Sequence, residues 1–183
     1  DDFHASYPLL NRIHQVTVQQ CHAMIAEIFE RVRTHENDFR ELLNTTDTAP
    51  LQLESFGLPR TRYGGGRAGC LLKFTQGTVV YKSRNVEGER AFWQIVQDLT
   101  QQGAPAIRAA RVIQGEGYGF MEFIKAEEVD FSGEDFLEAS GRLAGLLYAL
   151  QGKDMHAKNL IPLATGPVPI DLETVLHHIY ILA

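Results

Sequence analysis

Two short segments carry the residue types that phosphoryl transfer needs. One reads Asp154-Met-His-Ala-Lys-Asn159, and the other, Ile170-Asp-Leu-Glu-Thr174, follows a short apolar stretch. Asp154 and Asn159 are five positions apart, as are the base and the metal-binding amide in the catalytic loop of kinases, where a further metal-binding Asp follows. Asp171 stands in that later position. The spacing indicates a site where carboxylates hold cations and a hydroxyl is aligned for attack.

Each of these side chains has an expected role. Asp154 and His156 are expected to position or deprotonate an attacking hydroxyl. Asn159 and Asp171 offer the hard oxygen ligands that magnesium prefers, and Glu173 can add or orient a further one. The alternative is a polar loop after a helix, with Asp171 and Glu173 on a solvent-exposed face.

A lysine at the end of a predicted strand is the expected phosphate contact. It lies in Val79-Val-Tyr-Lys82-Ser-Arg84. Kinases pair such a lysine with a carboxylate on the following helix, and here Glu89 is preferred to Glu87 for that role. Arg84 joins Lys82 and Glu89 in the expected nucleotide-binding set. The alternative is an ordinary lysine in solvent.

A glycine-rich segment, Tyr63-Gly-Gly-Gly-Arg67-Ala-Gly69, precedes the first predicted hairpin. Glycines allow backbone N–H groups to approach phosphate, and a guanidinium binds phosphate through two donors. Gly66 and Arg67 are therefore predicted to contact the nucleotide. The segment matches neither of the common phosphate-loop patterns, so a flexible turn is an equal alternative.

Hydrophobic spacing and turn signals predict the elements that hold these residues. Residues 9–43 contain no Gly or Pro and have apolar residues near every third and fourth position, which predicts long amphipathic helix broken near 35–38. Residues 45–50 read as a linker. A helix at 87–101 is predicted between two hairpins, whose strands are expected at 71–74, 78–81, 107–113 and 118–124.

A further helix is predicted after the hairpins. Residues 132–135 match the capping-box pattern at its start, and Gly152 is the expected stop. Gly141 and Gly145 weaken a helix, so we expect them to pack closely against another backbone.

The order of elements predicts an α+β protein with a kinase-like fold. Its expected regions are N-terminal helices in 1–50, a sheet lobe with nucleotide-binding elements in 51–126, and the start of a helical lobe in 127–183. Complete kinases continue through a larger helical lobe, so the chain is interpreted as a truncated piece of one larger domain.

Composition narrows the functional classes. The 183 residues carry a formal net charge of −6, which argues against a protein that coats nucleic acid. No apolar run approaches the roughly 20 residues of a membrane helix. The two cysteines, Cys21 and Cys70, are far apart, which favours reduced thiols and a cytoplasmic location over a disulfide.

Taken together, five ordered motifs closely resemble the N-terminal dehydratase domain of class II lanthipeptide synthetases. The motifs are Tyr81-Lys-Ser-Arg84, Glu116-Gly-Tyr-Gly-Phe-Met-Glu-Phe123, Gly141-Arg-Leu-Ala-Gly-Leu-Leu-Tyr148, Asp154-Met-His-Ala-Lys-Asn-Leu-Ile161 and Ile170-Asp-Leu-Glu-Thr174. The resemblance covers most of the chain.

The resemblance implies a lipid-kinase-like fold and a two-step reaction. ATP and Mg²⁺ would be used to phosphorylate Ser and Thr of a leader-bearing precursor peptide, and phosphate elimination would then give dehydroalanine and dehydrobutyrine. A zinc-dependent cyclase domain would follow in the same full-length chain. Lys82 would contact phosphate, with Asp154, His156 and Asn159 in the catalytic loop and Asp171 and Glu173 at the metal.

The chain also departs from the family pattern. Thr61 and Tyr63 stand where an Asp and a His are usual, and Ser83 stands where Pro is common. Two other functions therefore remain open. One is a degenerate peptide- or nucleotide-binding module, and the other is a small-molecule or lipid kinase of the same fold.

Overall fold

The computed structural model describes residues 6–46, 49–57 and 67–176. Within them the helices are α1 (Pro8–Thr34), α2 (Glu36–Leu42), α3 (Glu87–Gln101) and α4 (Glu134–Ala149), and a short 3₁₀ helix covers Ala157–Asn159. The strands are β1 (Leu53–Gly57), β2 (Cys70–Phe74), β3 (Gly77–Lys82), β4 (Val112–Gly115), β5 (Tyr118–Glu122), β6 (Leu160–Leu163) and β7 (Gly166–Pro169).

The strands form one larger and one smaller antiparallel sheet. The larger has five strands in the order β1-β2-β3-β5-β4, and the smaller is the β6-β7 hairpin. The α+β class and both predicted hairpins are confirmed. The strand predicted from residue 107 begins only at Val112. Ala109 and Ala110, which precede it, are buried although they do not pair with a neighbouring strand.

The predicted break in the N-terminal helix lies at His35, which separates α1 from α2. Its ring packs edge-on against Phe120, with ring centroids 5.7 Å apart. One ring nitrogen is 2.8 Å from Asp38 Oδ2 and the other is 2.9 Å from the hydroxyl of Tyr118. One ring nitrogen therefore ties the kink to β5 and the other ties it to α2.

Alternating residues of the sheet bury one face under α1 and α2. Leu72, Val79 and Phe120 have no exposed area and meet Phe39 of α2, whose ring lies 4.7 Å from that of Phe120. Because successive strand residues point to opposite faces, burial of Tyr81 in this core turns Lys82 to the other side of the sheet.

A second core joins α3, α4 and the segment that contains Asp171. Phe92 and Val96 of α3 pack with Leu143 and Leu147 of α4. Leu172, next to Asp171, is buried in the same cluster. The acidic segment is therefore held by apolar packing on one side and exposes its polar groups on the other.

The start of α4 differs from the prediction. Gly133 is the N-cap residue and makes no side-chain cap, while Ser132 Oγ donates to Asp130 Oδ1 at 2.6 Å. The capping-box prediction is wrong, because the serine hydroxyl is already bonded within its own turn. The predicted stop is confirmed: Gln151 has a φ of 55° and Gly152 N donates to Leu147 O at 2.8 Å.

The expectation for the two glycines of α4 is wrong. A β-carbon built on Gly141 or on Gly145 meets nothing within 4 Å among the described residues. Close contact instead occurs at Gly119 of β5, where a β-carbon would lie 2.1 Å from a methyl of the buried Val86.

Both cysteines are free thiols. Burial raises the pKa of the Cys70 thiol to about 11, so it stays protonated. Across the described part of the chain, no helix has the length and apolar character to cross a membrane.

The glycine contacts predict opposite effects of two alanine substitutions. Gly119→Ala should lower the free energy of unfolding by about 1–3 kcal/mol, because the added methyl overlaps Val86. Gly141→Ala should raise it by about 0.5–1 kcal/mol, because alanine favours a helix more than glycine does. Urea denaturation measures both, and a stabilising Gly119→Ala would contradict the packing.

A partly buried acid links the sheet to the N-terminal helices and predicts a pH dependence. Glu122 bonds Arg108 at 2.5 Å and the backbone N–H of Arg111 at 3.2 Å, and Arg111 also donates to Leu42 O. Burial opposes the charge of Glu122, but its bonds to Arg111 and the nearby Arg108 outweigh burial and lower its pKa.

Because the pKa of Glu122 is lower in the folded chain, its stabilisation is present above the ordinary value of 4.5. The stability difference between the wild type and Glu122→Gln should be constant near neutral pH and shrink as pH falls below that value through the lower pKa of the folded chain. Glu138→Gln, at an exposed helical ion pair, is the matched control with little effect. A pH-independent difference would contradict the assignment.

Candidate functional site

The end of β3 meets the segment after β7. Lys82 Nζ lies 3.3 Å from Asp171 Oδ1 and donates to Ile170 O at 3.3 Å. The two residues are 89 positions apart. The structure thus brings together the predicted phosphate lysine and the predicted metal aspartate.

Arg84 connects three carboxylates. Its Nη2 is 2.5 Å from Glu89 Oε1 and also contacts Asp171 Oδ1, and its Nε is 3.2 Å from Glu173 Oε2. We call these residues, with Lys82, the ion cluster. Glu89 was expected to pair with Lys82, but it pairs with Arg84, because the lysine ammonium is directed at Asp171 instead.

The carboxylates of the ion cluster differ in solvent exposure. The Glu89 side chain is 1% exposed, whereas those of Asp171 and Glu173 are 37% and 58% exposed. A buried carboxylate needs a hydrogen-bonded counter-charge, so the Arg84–Glu89 pair is the fixed part of the cluster.

The charges of the ion cluster shift two pKa values. Burial opposes the charge of Asp171, but the nearby cations of Lys82 and Arg84 outweigh burial and lower its pKa. Burial also opposes the charge of Arg84, but the bonds and charges of Glu89 and Asp171 outweigh it and raise its pKa. Both groups are therefore ionised near neutral pH.

The loop between α4 and β6 presents the predicted catalytic residues to solvent. Asp154 has a φ of 58°, a left-handed conformation that Asp adopts more readily than most residues. Asn159 Nδ2 donates to Asp154 O at 3.0 Å and closes the turn. His156 Nε2 lies 3.8 Å from Asp154 Oδ1, and both side chains are more than half exposed.

One residue joins this loop to the ion cluster. Ile170 N donates to Asn159 O at 3.0 Å, while Ile170 O accepts from Lys82. A second link is made by Thr174, whose hydroxyl donates to Lys153 O at 2.6 Å and accepts from Lys153 N at 3.1 Å. The two acidic segments therefore hold each other in register.

The start of α3 contacts the acidic segment backbone to backbone. A β-carbon on Gly88 would lie 2.4 Å from Leu172 O. Only glycine allows this approach, which places Glu89, the next residue, beside Asp171.

The glycine-rich segment is described only at its end. Gly66, Thr61 and Tyr63 lie outside the described residues. Arg67 is exposed. Because Cys70 pairs with Tyr81, the segment enters the sheet at the same end as Lys82.

The donor set suits a hard divalent cation. Asp171 and Glu173 converge on the guanidinium of Arg84, which stands in for a cation between them. Asn159 uses its amide nitrogen within the loop, which leaves the amide oxygen as its ligand atom. Within the described part of the chain, no group of three or more His, Cys, Asp and Glu side chains is arranged to hold a metal.

An apolar groove of about 690 Å³ lies beside the loop. It runs between α4 and the β6-β7 hairpin, and Met155 and Ala157, on either side of His156, form part of its wall. No spacing signal in the sequence pointed to this groove, since it combines residues from four separate segments.

A protein-family model described as "Domain of unknown function (DUF4135)" matches residues 7–182. No curated protein matches the chain.

The contact between α3 and the acidic segment predicts the effect of Gly88→Ala. The methyl should displace Leu172 O, which accepts a hydrogen bond from Val175 N at 3.0 Å. We expect a loss of about 1–3 kcal/mol in the free energy of unfolding and faster amide exchange at Val175. Hydrogen–deuterium exchange measures this directly.

Gly145→Ala is the matched control, because a β-carbon there meets nothing within 4 Å. It should leave the exchange of Val175 unchanged. Equal exchange in the wild type and in Gly88→Ala would contradict the contact.

Proposed function

The chain belongs to the DUF4135 family, and we propose that it works as a lanthipeptide dehydratase with a kinase-like fold. It would use ATP to phosphorylate Ser and Thr of a leader-bearing precursor peptide before the phosphate is eliminated. The observation that carries the proposal is the contact of Lys82 with Asp171, together with Ile170, whose C=O accepts from the Lys82 ammonium and whose N–H donates to the backbone carbonyl of Asn159.

The arrangement of elements supports the kinase-like fold. Lys82 ends the third strand of an antiparallel sheet, and the helix that follows carries the buried Glu89. This is the order in which kinases place their lysine and their helix glutamate. The loop with Asp154 and the segment with Asp171 follow after α4, as that plan requires.

The residues of the proposed site would have two roles: some would hold the phosphates and magnesium, and others would activate the hydroxyl. Lys82 would contact the phosphates, and Asn159, Asp171 and Glu173 would hold magnesium. Bound magnesium would neutralise charge on the transferring phosphoryl group. Asp154 and His156, exposed at the loop, would orient the Ser or Thr hydroxyl and accept its proton.

Elimination follows from the chemistry of the phosphorylated residue. A base removes the proton on the α-carbon, the electron pair forms the Cα–Cβ double bond, and the Cβ–O bond breaks as phosphate leaves. Phosphate is a far better leaving group than hydroxide, so phosphorylation prepares this step. No described residue is assigned to it.

One observation favours a second candidate, a binding module without turnover. Asp171 and Glu173 are both paired with Arg84, and such pairing neutralises the charges that a catalytic metal needs. In this reading the peptide or nucleotide binds without phosphate transfer.

Mass spectrometry of a leader-bearing, Ser- and Thr-rich precursor peptide tests the proposal. With the full-length protein, ATP and Mg²⁺, we expect gain of a phosphoryl group followed by net loss of water. Asp154→Asn and Asp171→Asn should each reduce phosphorylation by at least about 100-fold, because one removes the base and the other a metal ligand.

Asp98→Asn, on the exposed face of α3, is the matched control and should retain full activity. Circular dichroism would establish that the variants are folded. Normal turnover in either site variant would contradict the assignment. ATP binding without any change in peptide mass would favour the binding module.

A further inference from the structure

The guanidinium of Arg84 contacts every carboxylate of the ion cluster. Nη1 and Nη2 face Glu89, Nη2 also reaches Asp171, and Nε reaches Glu173 at 3.2 Å. Two cations therefore face three carboxylates, and Asp171 Oδ1 is shared by both cations.

The three contacts of Arg84 differ in strength. The bond to Glu89 is buried, and its loss would leave an uncompensated charge inside the protein. The contacts to Asp171 and Glu173 are partly open to solvent, where ion pairs contribute little. Arg84 can therefore release the outer two carboxylates while it keeps Glu89.

The outer two carboxylates are also the proposed metal ligands. A guanidinium and a divalent cation cannot occupy the space between these two carboxylates together, because Arg84 already holds Asp171 Oδ1 and Glu173 Oε2 there and the two cations repel each other. Binding of a divalent cation must therefore displace Arg84 from Asp171 and Glu173.

We infer that Arg84 is an exchangeable counter-ion of the metal site. It pairs with Asp171 and Glu173 until a divalent cation takes them, and it remains anchored to Glu89 afterwards. This inference rests on the proposed function, since it assumes that those two carboxylates are metal ligands. After exchange, Nε and the Nη2 hydrogen that had faced Asp171 become available to phosphate oxygens, which guanidinium groups bind well.

Mn²⁺ binding to the full chain without nucleotide tests the exchange, with electron paramagnetic resonance as the readout. Arg84→Gln should bind Mn²⁺ at least about tenfold more tightly than the wild type, because the competing cation is gone. Arg84→Lys should lie between the two, since an ammonium keeps the charge but cannot reach all three carboxylates.

Arg84→Gln leaves Glu89 buried without its partner and can impair folding. The double variant Arg84→Gln/Glu89→Gln removes the buried charge together with its counter-charge, and it should show the same gain in Mn²⁺ affinity. Glu89→Gln alone keeps Arg84 on the outer carboxylates and should give no gain. If Arg84 had only a structural role, neither Arg84→Gln nor the double variant would bind Mn²⁺ more tightly than the wild type.

Asp171→Asn separates the inference from the proposed function. If it weakens Mn²⁺ binding while neither Arg84→Gln variant tightens it, the metal site stands and the exchange is wrong. If Asp171→Asn leaves Mn²⁺ binding unchanged, the assignment of the metal ligand fails, and the exchange fails with it. Tighter binding in both Arg84→Gln variants, together with weaker binding in Asp171→Asn, supports the exchange.

Discussion

The buried carboxylate of Glu89 is the constraint on which the site depends. A charge placed in an apolar interior requires a partner at bonding distance, and Arg84 supplies it. Because Arg84 follows β3 closely, this pairing fixes the end of that strand against α3. The remaining donors of Arg84 reach Asp171 and Glu173. The Arg84–Glu89 ion pair therefore links α3 and the end of β3 to the acidic segment.

The structural elements that depend on local sequence patterns were predicted correctly. The helix at Glu87–Gln101 and the hairpins of the sheet follow from residue spacing and turn chemistry, which act over a few positions. Expectations that depended on distant packing were less reliable. Gly141 and Gly145 suggested a close helix contact but make none with the described residues, whereas Gly88 and Gly119, which no local pattern distinguishes, do make close contacts.

The same division applies to the site. Lys82, which the sequence marks by its position at the end of a strand, lies 3.3 Å from Asp171 Oδ1, and the backbone of Asn159 is bonded to Ile170, the residue before Asp171. The partner of Glu89 could not be predicted, because two cations, Lys82 and Arg84, lie two positions apart at the end of β3 and local spacing does not distinguish them. Which of them bonds Glu89 is decided by side-chain direction and burial, and these are set by the whole fold.

The contact of Gly88 with Leu172 has a mechanical consequence. Two backbones that touch without side chains between them have no rotamers that could absorb a displacement. Helix α3 and the segment around Asp171 are therefore expected to shift together. Any movement of the helix that repositions Glu89 would carry Asp171 with it, and the loop of residues 154–159, which is bonded to the same segment, would follow.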